Sequence, residues 1–126
     1  MLTDTTFWID LFEEKRANGL CGPVGAFFAR SRAQSFYVSI ITWGELAEGF
    51  PEYGDMDNVL RGIAVLPLPR HVVWTGSRIQ RDLNAQGKRL GENDTWIAAT
   101  ALTWGKRLVT RDKAFERVPR LAVVPY

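Results

Sequence analysis

Four acidic side chains lie where predicted secondary-structure elements begin or end. Asp4 follows a short apolar start, and Glu45 comes one helical turn after a stretch rich in β-branched residues. Asp94 begins a segment with helical spacing of apolar residues, and Asp112 follows a short apolar strand. Carboxylates brought together repel one another, and hard divalent cations such as Mg²⁺ or Mn²⁺ relieve that repulsion. The four acids are therefore candidate ligands of a cation that assists hydrolysis of a phosphodiester.

Each of these acids also has a purely structural interpretation. Asp4, Asp94 and Asp112 each stand at the start of a predicted helix, where a carboxylate can cap free N–H groups. Thr42-Trp43-Gly44-Glu45 has the form of a capping box, in which Glu45 would serve the helix start. Caps and metal ligands are compatible, because both place a carboxylate at a helix N-terminus. The four acids together support a cation-binding site better than any one of them does alone.

Strand and helix signals alternate along the chain, which predicts a mostly parallel sheet covered by helices on both faces. In such folds ligands bind beyond the carboxyl ends of the strands, so the four acids are expected near one edge of the sheet. The prolines in residues 64–68 indicate an edge strand there. The predicted strands are residues 2–3, 36–41, 64–68, 107–110 and 121–124. Helices are predicted over 5–12, from 22–23, over 42–47, 55–61 and 72–86, from 94, and around 114–115.

The composition limits the class of protein. The 126 residues, 46% of them apolar, predict a single domain spanning 1–126 with a real core. Cys21 and His71 are the only cysteine and histidine, which argues against cysteine zinc sites and histidine-dependent nucleophiles. No apolar run approaches the roughly 20 residues of a membrane span, and the first residues do not resemble a signal peptide. A cytoplasmic, reducing compartment fits these features.

Charge is unevenly distributed. Residues 1–60 hold four basic and nine acidic side chains, and residues 61–126 hold twelve basic and five acidic ones, giving −5 and +7. A basic second half is typical of proteins that bind a polyanion such as nucleic acid. Solvated helix faces would give the same asymmetry, so charge alone leaves both interpretations open.

An ordered set of motifs extends across essentially the whole chain. The motifs are Asp4-Thr5 after an apolar start, Thr42-Trp43-Gly44-Glu45-Leu46, Asn93 to Ala99, and Leu108-Val109-Thr110-Arg111-Asp112 followed by Phe115 and a last strand. The set resembles PIN-domain ribonucleases and, more narrowly, the VapC-like toxins of bacterial type II toxin–antitoxin modules. The resemblance implies a three-layer α/β/α fold with a central, mostly parallel sheet and Mg²⁺- or Mn²⁺-dependent cleavage of RNA.

The resemblance also assigns roles. The family's acidic ligands fall on Asp4, Glu45, Asp94 and Asp112, and Thr5 and Thr110 take supporting positions. Thr6 departs from the residue types frequent at its position, so its role is open. The expected partners are RNA, a cognate antitoxin and a second copy of the chain in a homodimer. The candidate RNA contacts are Lys88, Arg89, Arg111 and Lys113. The alternative interpretation of these four is that they are solvated loop charges. The candidate antitoxin contacts are Trp8, Leu11, Phe12 and Phe50.

Two alternative functions stay open at this point. A metal-dependent phosphatase could use Asp4 as nucleophile, but that chemistry usually has a second acid close behind, where Thr5 and Thr6 stand. A non-catalytic RNA- or protein-binding module gains nothing from clustered carboxylates facing a polyanion. Trp8, Trp96 and Trp104 have core-like helical spacing and are expected to pack in the interior.

Overall fold

A five-stranded sheet forms the centre of the protein. In the computed structural model, which describes residues 1–126, the strand order is β3-β2-β1-β4-β5. Every pairing is parallel, and β3 lies at an edge, which confirms both expectations. Because β1 is central, the segments that follow β1, β2 and β4 meet at one edge of the sheet. The strands are β1 (Leu2–Thr3), β2 (Tyr37–Ser39), β3 (Ala64–Leu66), β4 (Leu108–Val109) and β5 (Val123–Val124).

Six α-helices cover the two faces of this sheet. The helices are α1 (Thr5–Asn18), α2 (Pro23–Arg30), α3 (Ile40–Ala47), α4 (Tyr53–Val59), α5 (Arg70–Ala85), α6 (Glu92–Thr103) and the 3-10 helix Lys113–Arg117. One hydrophobic cluster joins the sheet to α1, α2, α3 and α4, and a second joins it to α5, α6 and the 3-10 helix. The predicted three-layer α/β/α architecture is therefore confirmed. None of these helices has the length and hydropathy of a membrane span.

The junction of β2 and α3 differs from its prediction. Ser39 ends the strand, and its Oγ accepts a hydrogen bond from the Thr42 N–H at 2.9 Å. Ile40 and Ile41, for which the sequence predicts strand, form the first turn of α3, because the side-chain cap outweighs their β propensity. Glu45 consequently lies in the second half of α3, so the capping-box interpretation of this residue is wrong.

The start of α6 also differs from its prediction. The helix begins at Glu92 with Gly91 as its N-cap, so Asp94 lies in the first turn and is not the cap. The carbonyl of Gly91 accepts hydrogen bonds from both the N–H and the Oγ1 of Thr95, at 2.9 and 2.8 Å, which moves the helix start upstream of Asp94. Asp94 still stabilises the helix, because a carboxylate in the first turn interacts favourably with the helix dipole.

Close packing of α5 on α6 fixes the position of α6. Gly76 of α5 is buried, and a Cβ at this position would lie 2.4 Å from the Trp96 ring and 3.4 Å from the Cβ of Ala99. Trp96 is therefore half-buried between the helices. Trp8 lies in the core as expected, with 4% of its surface exposed. Trp104 is 39% exposed where α6 ends, so its assignment to the core is wrong.

Candidate active site

The four acids predicted from the sequence line one cavity. It has a volume of about 200 Å³ and opens at the edge of the sheet where β1 and β4 end. Each acid comes from a different element, so the cavity exists only in the assembled fold. The lining residues are Asp4, Thr5, Thr6, Glu45, Asp94, Ile97, Asp112 and Phe115.

Asp4 is the most deeply placed of the four. Its residue is 3% exposed, directly between β1 and α1. The Oδ1 atom accepts from the Phe7 N–H at 2.8 Å, so the predicted cap of α1 is confirmed. The Oδ2 atom accepts from the hydroxyl of Thr110, which stands at the end of the neighbouring strand β4. Both oxygens of Asp4 are thus held in place by the two segments that leave the centre of the sheet.

Glu45 connects three helices at the cavity. Its Oε2 accepts from the hydroxyl of Thr5 on α1, and its Oε1 accepts from Nδ2 of Asn93 on α6 at 2.8 Å. Asn93 belongs to one of the motifs that carry the family resemblance, but no role was predicted for it from the sequence. The two hydrogen bonds orient the Glu45 carboxylate while leaving it without a cationic partner.

Asp94 and Asp112 complete the set from the other side of the cavity. Asp94 is half-buried, and Asp112 is exposed. The Oδ1 atom of Asp112 accepts from the Ala114 N–H at 2.8 Å, so its predicted cap of the 3-10 helix is confirmed. The Asp112 N–H in turn donates to Oγ1 of Thr110 at 2.9 Å. Thr110 therefore links Asp4 and Asp112 through one hydroxyl group.

The cavity is electrostatically unfavourable for its own acids. Burial raises the pKa of Asp4 to about 6, against the hydrogen bonds from Thr110 and Phe7, and the negative charge of Asp94 contributes in the same direction. Burial also raises the pKa of Asp94, and the charges of Asp112 and Glu45 add to the shift. None of the four acids is in an ion pair, because the single salt bridge of the protein involves other residues. An incoming cation would meet no positive competitor here.

The donor set fits a hard divalent cation. Carboxylate and hydroxyl oxygens line the cavity, without nitrogen or sulfur ligands, which suits Mg²⁺ or Mn²⁺. No group of three histidine, cysteine, aspartate or glutamate side chains is arranged to hold a metal ion by itself. Mg²⁺ does not require such a group, because it usually takes one or two carboxylates and keeps water and substrate phosphate as its other ligands.

Comparison with known proteins agrees with this arrangement. A family model described as PIN domain matches residues 1–121. The chain belongs to the PIN domain family. It is 32% identical over 99 residues to Ribonuclease VapC1 of Rickettsia felis, covering 70% of this chain and 74% of that protein. It is 30% identical over 92 residues to Ribonuclease VapC1 of Haemophilus influenzae, covering 67% and 69%.

A solved structure extends the likeness of this PIN domain to nearly the whole chain. VapBC-1 from nontypeable Haemophilus influenzae matches with a TM-score of 0.80 at 25% identity, covering 98% of this chain and 96% of that chain. The predicted resemblance to VapC-like members of the PIN domain family is therefore confirmed.

Basic side chains of the PIN domain begin next to the acidic cavity, because Lys113 directly follows Asp112. Lys88 and Lys113 line one open depression together with Arg117, Gly87 and the acidic Glu116. Arg117 Nη1 donates to the carbonyl of Arg89 at 3.1 Å, which joins the 3-10 helix to the loop before α6. Arg111, the fourth residue predicted to contact RNA, lies apart from this group in an ion pair with Asp10. Arg117 was not singled out from the sequence, although it follows Lys113 by about one helical turn.

An apolar groove of about 500 Å³ runs along α1 of the PIN domain. Phe12 and Phe50 line it, with ring centroids 6.5 Å apart, in agreement with their predicted position. Trp8 and Leu11 are only 4% and 9% exposed, so they support the groove from the core and are not its surface. The prediction that Trp8 and Leu11 lie at the surface was wrong. The sequence identifies the apolar positions of an amphipathic helix, but it does not indicate which of them remain exposed in the folded protein. The other lining residues are Ile9, Arg16, Glu45, Leu46, Gly49 and Val59.

Proposed function

We propose that the protein is a Mg²⁺- or Mn²⁺-dependent endoribonuclease that acts as the toxin of a toxin–antitoxin pair. The observation that supports this most is the convergence of four unpaired carboxylates on one cavity of a PIN domain. Its relatives named Ribonuclease VapC1 support RNA as the substrate. The proposal also accounts for the basic depression beside the cavity, since such side chains bind phosphates.

The four acids share two tasks in this proposal. Asp4, Asp94 and Asp112 hold the cation directly or through water, and Glu45 orients the attacking water or holds a second cation. When bound, the divalent cation activates water and stabilises negative charge on the phosphodiester. Thr110 fixes Asp4 through its hydroxyl, and Thr5 fixes Glu45 in the same manner.

Replacing Asp94 with Asn tests this assignment. The variant keeps the shape of the helix start but removes one charge from the cavity, so we expect RNA cleavage to fall by about 10- to 100-fold. The measurement is cleavage of a structured RNA by purified protein with Mg²⁺ and with EDTA. Asp82→Asn is the control, because it removes the same charge from an exposed position on α5.

The possible outcomes separate the candidate functions. Mg²⁺-dependent cleavage that EDTA stops and Asp94→Asn reduces supports the nuclease. Unchanged cleavage by Asp94→Asn would refute the site. Hydrolysis of a small phosphomonoester, with RNA left intact, would instead favour the phosphatase. RNA binding without any hydrolysis would favour the binding module.

We propose that the apolar groove receives the antitoxin. The groove includes exposed aliphatic side chains, with Ile9 45% and Val59 39% exposed, which a partner helix or strand can bury. Glu45 lines both this groove and the acidic cavity. A segment bound in the groove therefore lies next to the catalytic acids, which provides a direct route to inhibition.

Ile9→Glu is expected to weaken antitoxin binding by roughly tenfold or more, because a charge would be buried in an apolar contact. Val73→Glu is the matched control, since Val73 is 40% exposed on α5, outside the groove. The measurement is the affinity of each variant for the cognate antitoxin protein. Equal affinities for the two variants would exclude the groove as the binding surface. RNA cleavage in the absence of antitoxin should be the same for both.

A further inference from the structure

The protein contains a single salt bridge between side chains, and it lies beside the candidate active site. Arg111 Nε is 2.8 Å from Asp10 Oδ2, and Arg111 Nη2 donates to Asp10 Oδ1 at 3.1 Å. This two-point geometry is the strong form of an arginine–carboxylate contact. Arg111 stands between Thr110, which donates to Asp4, and Asp112, which lines the cavity.

Asp10 is a fixed partner in this contact. It belongs to α1, and its side chain is 16% exposed. Its Oδ2 also accepts from the Tyr126 hydroxyl at 2.7 Å. The Tyr126 ring packs edge-on against Phe7, with ring centroids 5.2 Å apart. Burial and the hydrogen bond to Asp10 raise the pKa of Tyr126, which therefore remains a donor.

The segment from Thr110 to Asp112 has no regular secondary structure. It is joined to α1 at two points, through Thr110 to the N-cap Asp4 and through Arg111 to Asp10. Asp4 and Asp10 are six residues apart, which separates the two attachments by roughly 9 Å along the helix axis. One attachment would allow the segment to pivot, whereas two attachments fix its orientation and hence the direction of Asp112.

We propose that Asp10 is a positioning residue for RNA cleavage, acting through Arg111 to hold the Thr110–Asp112 segment against the cavity. The inference rests on the proposed nuclease function. It also gives Arg111 a different main role from the RNA contact predicted for it, because its Nε and Nη2 atoms contact the Asp10 carboxylate. If Asp10 served only to neutralise Arg111, its loss would free a cation and strengthen RNA binding.

Asp10→Asn tests the role, because it removes the charge and keeps the size of the side chain. We expect kcat to fall by about tenfold and KM to change by less than about twofold, as for residues that orient ligating groups. Glu13→Gln is the control, since Glu13 is an exposed, unpaired acid on the same helix. It should leave both constants unchanged.

The variants Arg111→Gln and Asp10→Asn/Arg111→Gln complete a double-mutant cycle. We expect the double variant to be no slower than Arg111→Gln alone.

A second readout does not depend on cleavage. The Asp112 N–H donates to Thr110 Oγ1, so its hydrogen exchange, measured by NMR without metal, reports how firmly the segment is held. We expect loss of protection in Asp10→Asn and none in Glu13→Gln.

The results distinguish this inference from the proposed function. Wild-type kcat in Asp10→Asn, with wild-type exchange at Asp112, overturns the positioning role while the nuclease stands. A lower KM with unchanged kcat also overturns it, in favour of charge neutralisation. Additive losses in the cycle would show that Asp10 does not act through Arg111. Absence of cleavage by the wild-type protein with Mg²⁺ or Mn²⁺ overturns the nuclease, and the positioning role with it.

Discussion

Asp4→Asn is expected to reduce RNA cleavage by on the order of a thousandfold and, at the same time, to stabilise the fold at neutral pH. The first effect follows because Asp4 is the most buried of the four carboxylates. The second follows because burial raises its pKa from 3.8 to about 6 in the folded protein. Asparagine removes the unfavourable charge. Its side-chain oxygen can still accept the hydrogen bond from the Phe7 N–H that the Asp4 carboxylate accepts in the wild type.

The sign of the pH dependence follows from proton binding. Between about pH 4 and pH 6 the folded state holds a proton on Asp4 that the unfolded state has lost, so stability falls as pH rises through this window. Below this pH window Asp4 is protonated in both states, so its carboxyl group does not destabilise the fold. Above the window the buried charge destabilises the folded state by its full amount, so we expect Asp4→Asn to raise the free energy of unfolding at pH 7 by about 2 to 3 kcal/mol.

Urea unfolding at several pH values, with EDTA present, measures this effect. The stability difference between Asp4→Asn and wild type should grow from pH 4 to pH 6 and then stay constant. Asp82→Asn, at an exposed position, should show no such growth. A difference that is independent of pH would mean that Asp4 does not titrate as an isolated buried acid.

Gly76→Ala is expected to lower the free energy of unfolding by about 2 kcal/mol, although alanine normally favours a helix. The added Cβ would lie 2.4 and 2.5 Å from two carbons of the Trp96 ring. The ring is confined between α5 and α6, so relief requires the two helices to separate. Because α6 carries Asp94 two residues before Trp96, we also expect slower RNA cleavage.

Gly54→Ala is the matched control for this substitution. Gly54 lies in α4, and the space around its Cβ position is open, so alanine should leave stability unchanged or increase it. Adding Trp96→Leu to Gly76→Ala should recover part of the lost stability by removing the ring. The measurement is the free energy of unfolding of the four proteins, including wild type, by urea. A Gly76→Ala protein as stable as wild type would show that α5 and α6 accommodate the added Cβ without loss of stability.

The order of the elements could be predicted from the sequence because each is marked locally. Alternating apolar stretches and helix starts identify the parallel sheet, and prolines identify its edge strand β3. A cap was one of the two roles open for Asp4 and Asp112, and the sequence can indicate it because a cap depends only on the next few residues. Boundaries were less certain where two local signals competed, as at Ser39, whose cap moved Ile40 and Ile41 into a helix.

Contacts between distant segments could not be predicted in the same way. Glu45 matched a capping box, yet its carboxylate contacts Asn93, 48 residues away. The sequence offers Arg111 as a candidate RNA contact or a solvated loop charge, and it does not indicate the ion pair with Asp10, which is 101 residues away. The relative exposure of Trp8, Leu11, Phe12 and Phe50 likewise depends on which helices pack over α1. In each case the residue type was informative, but its partner is defined only by the tertiary fold.

The hydrogen bond between Thr110 and Asp4 spans 106 positions of the chain, which has a consequence for synthesis. Translation at about 5 to 20 residues per second leaves Asp4 waiting roughly 5 to 20 s before the ribosome reaches Thr110. Asp94 and Asp112 are also absent for most of that time. A nascent chain shorter than 112 residues therefore has no assembled carboxylate set, so under the proposed nuclease function its own messenger would be read past residue 112 before the site could act on RNA.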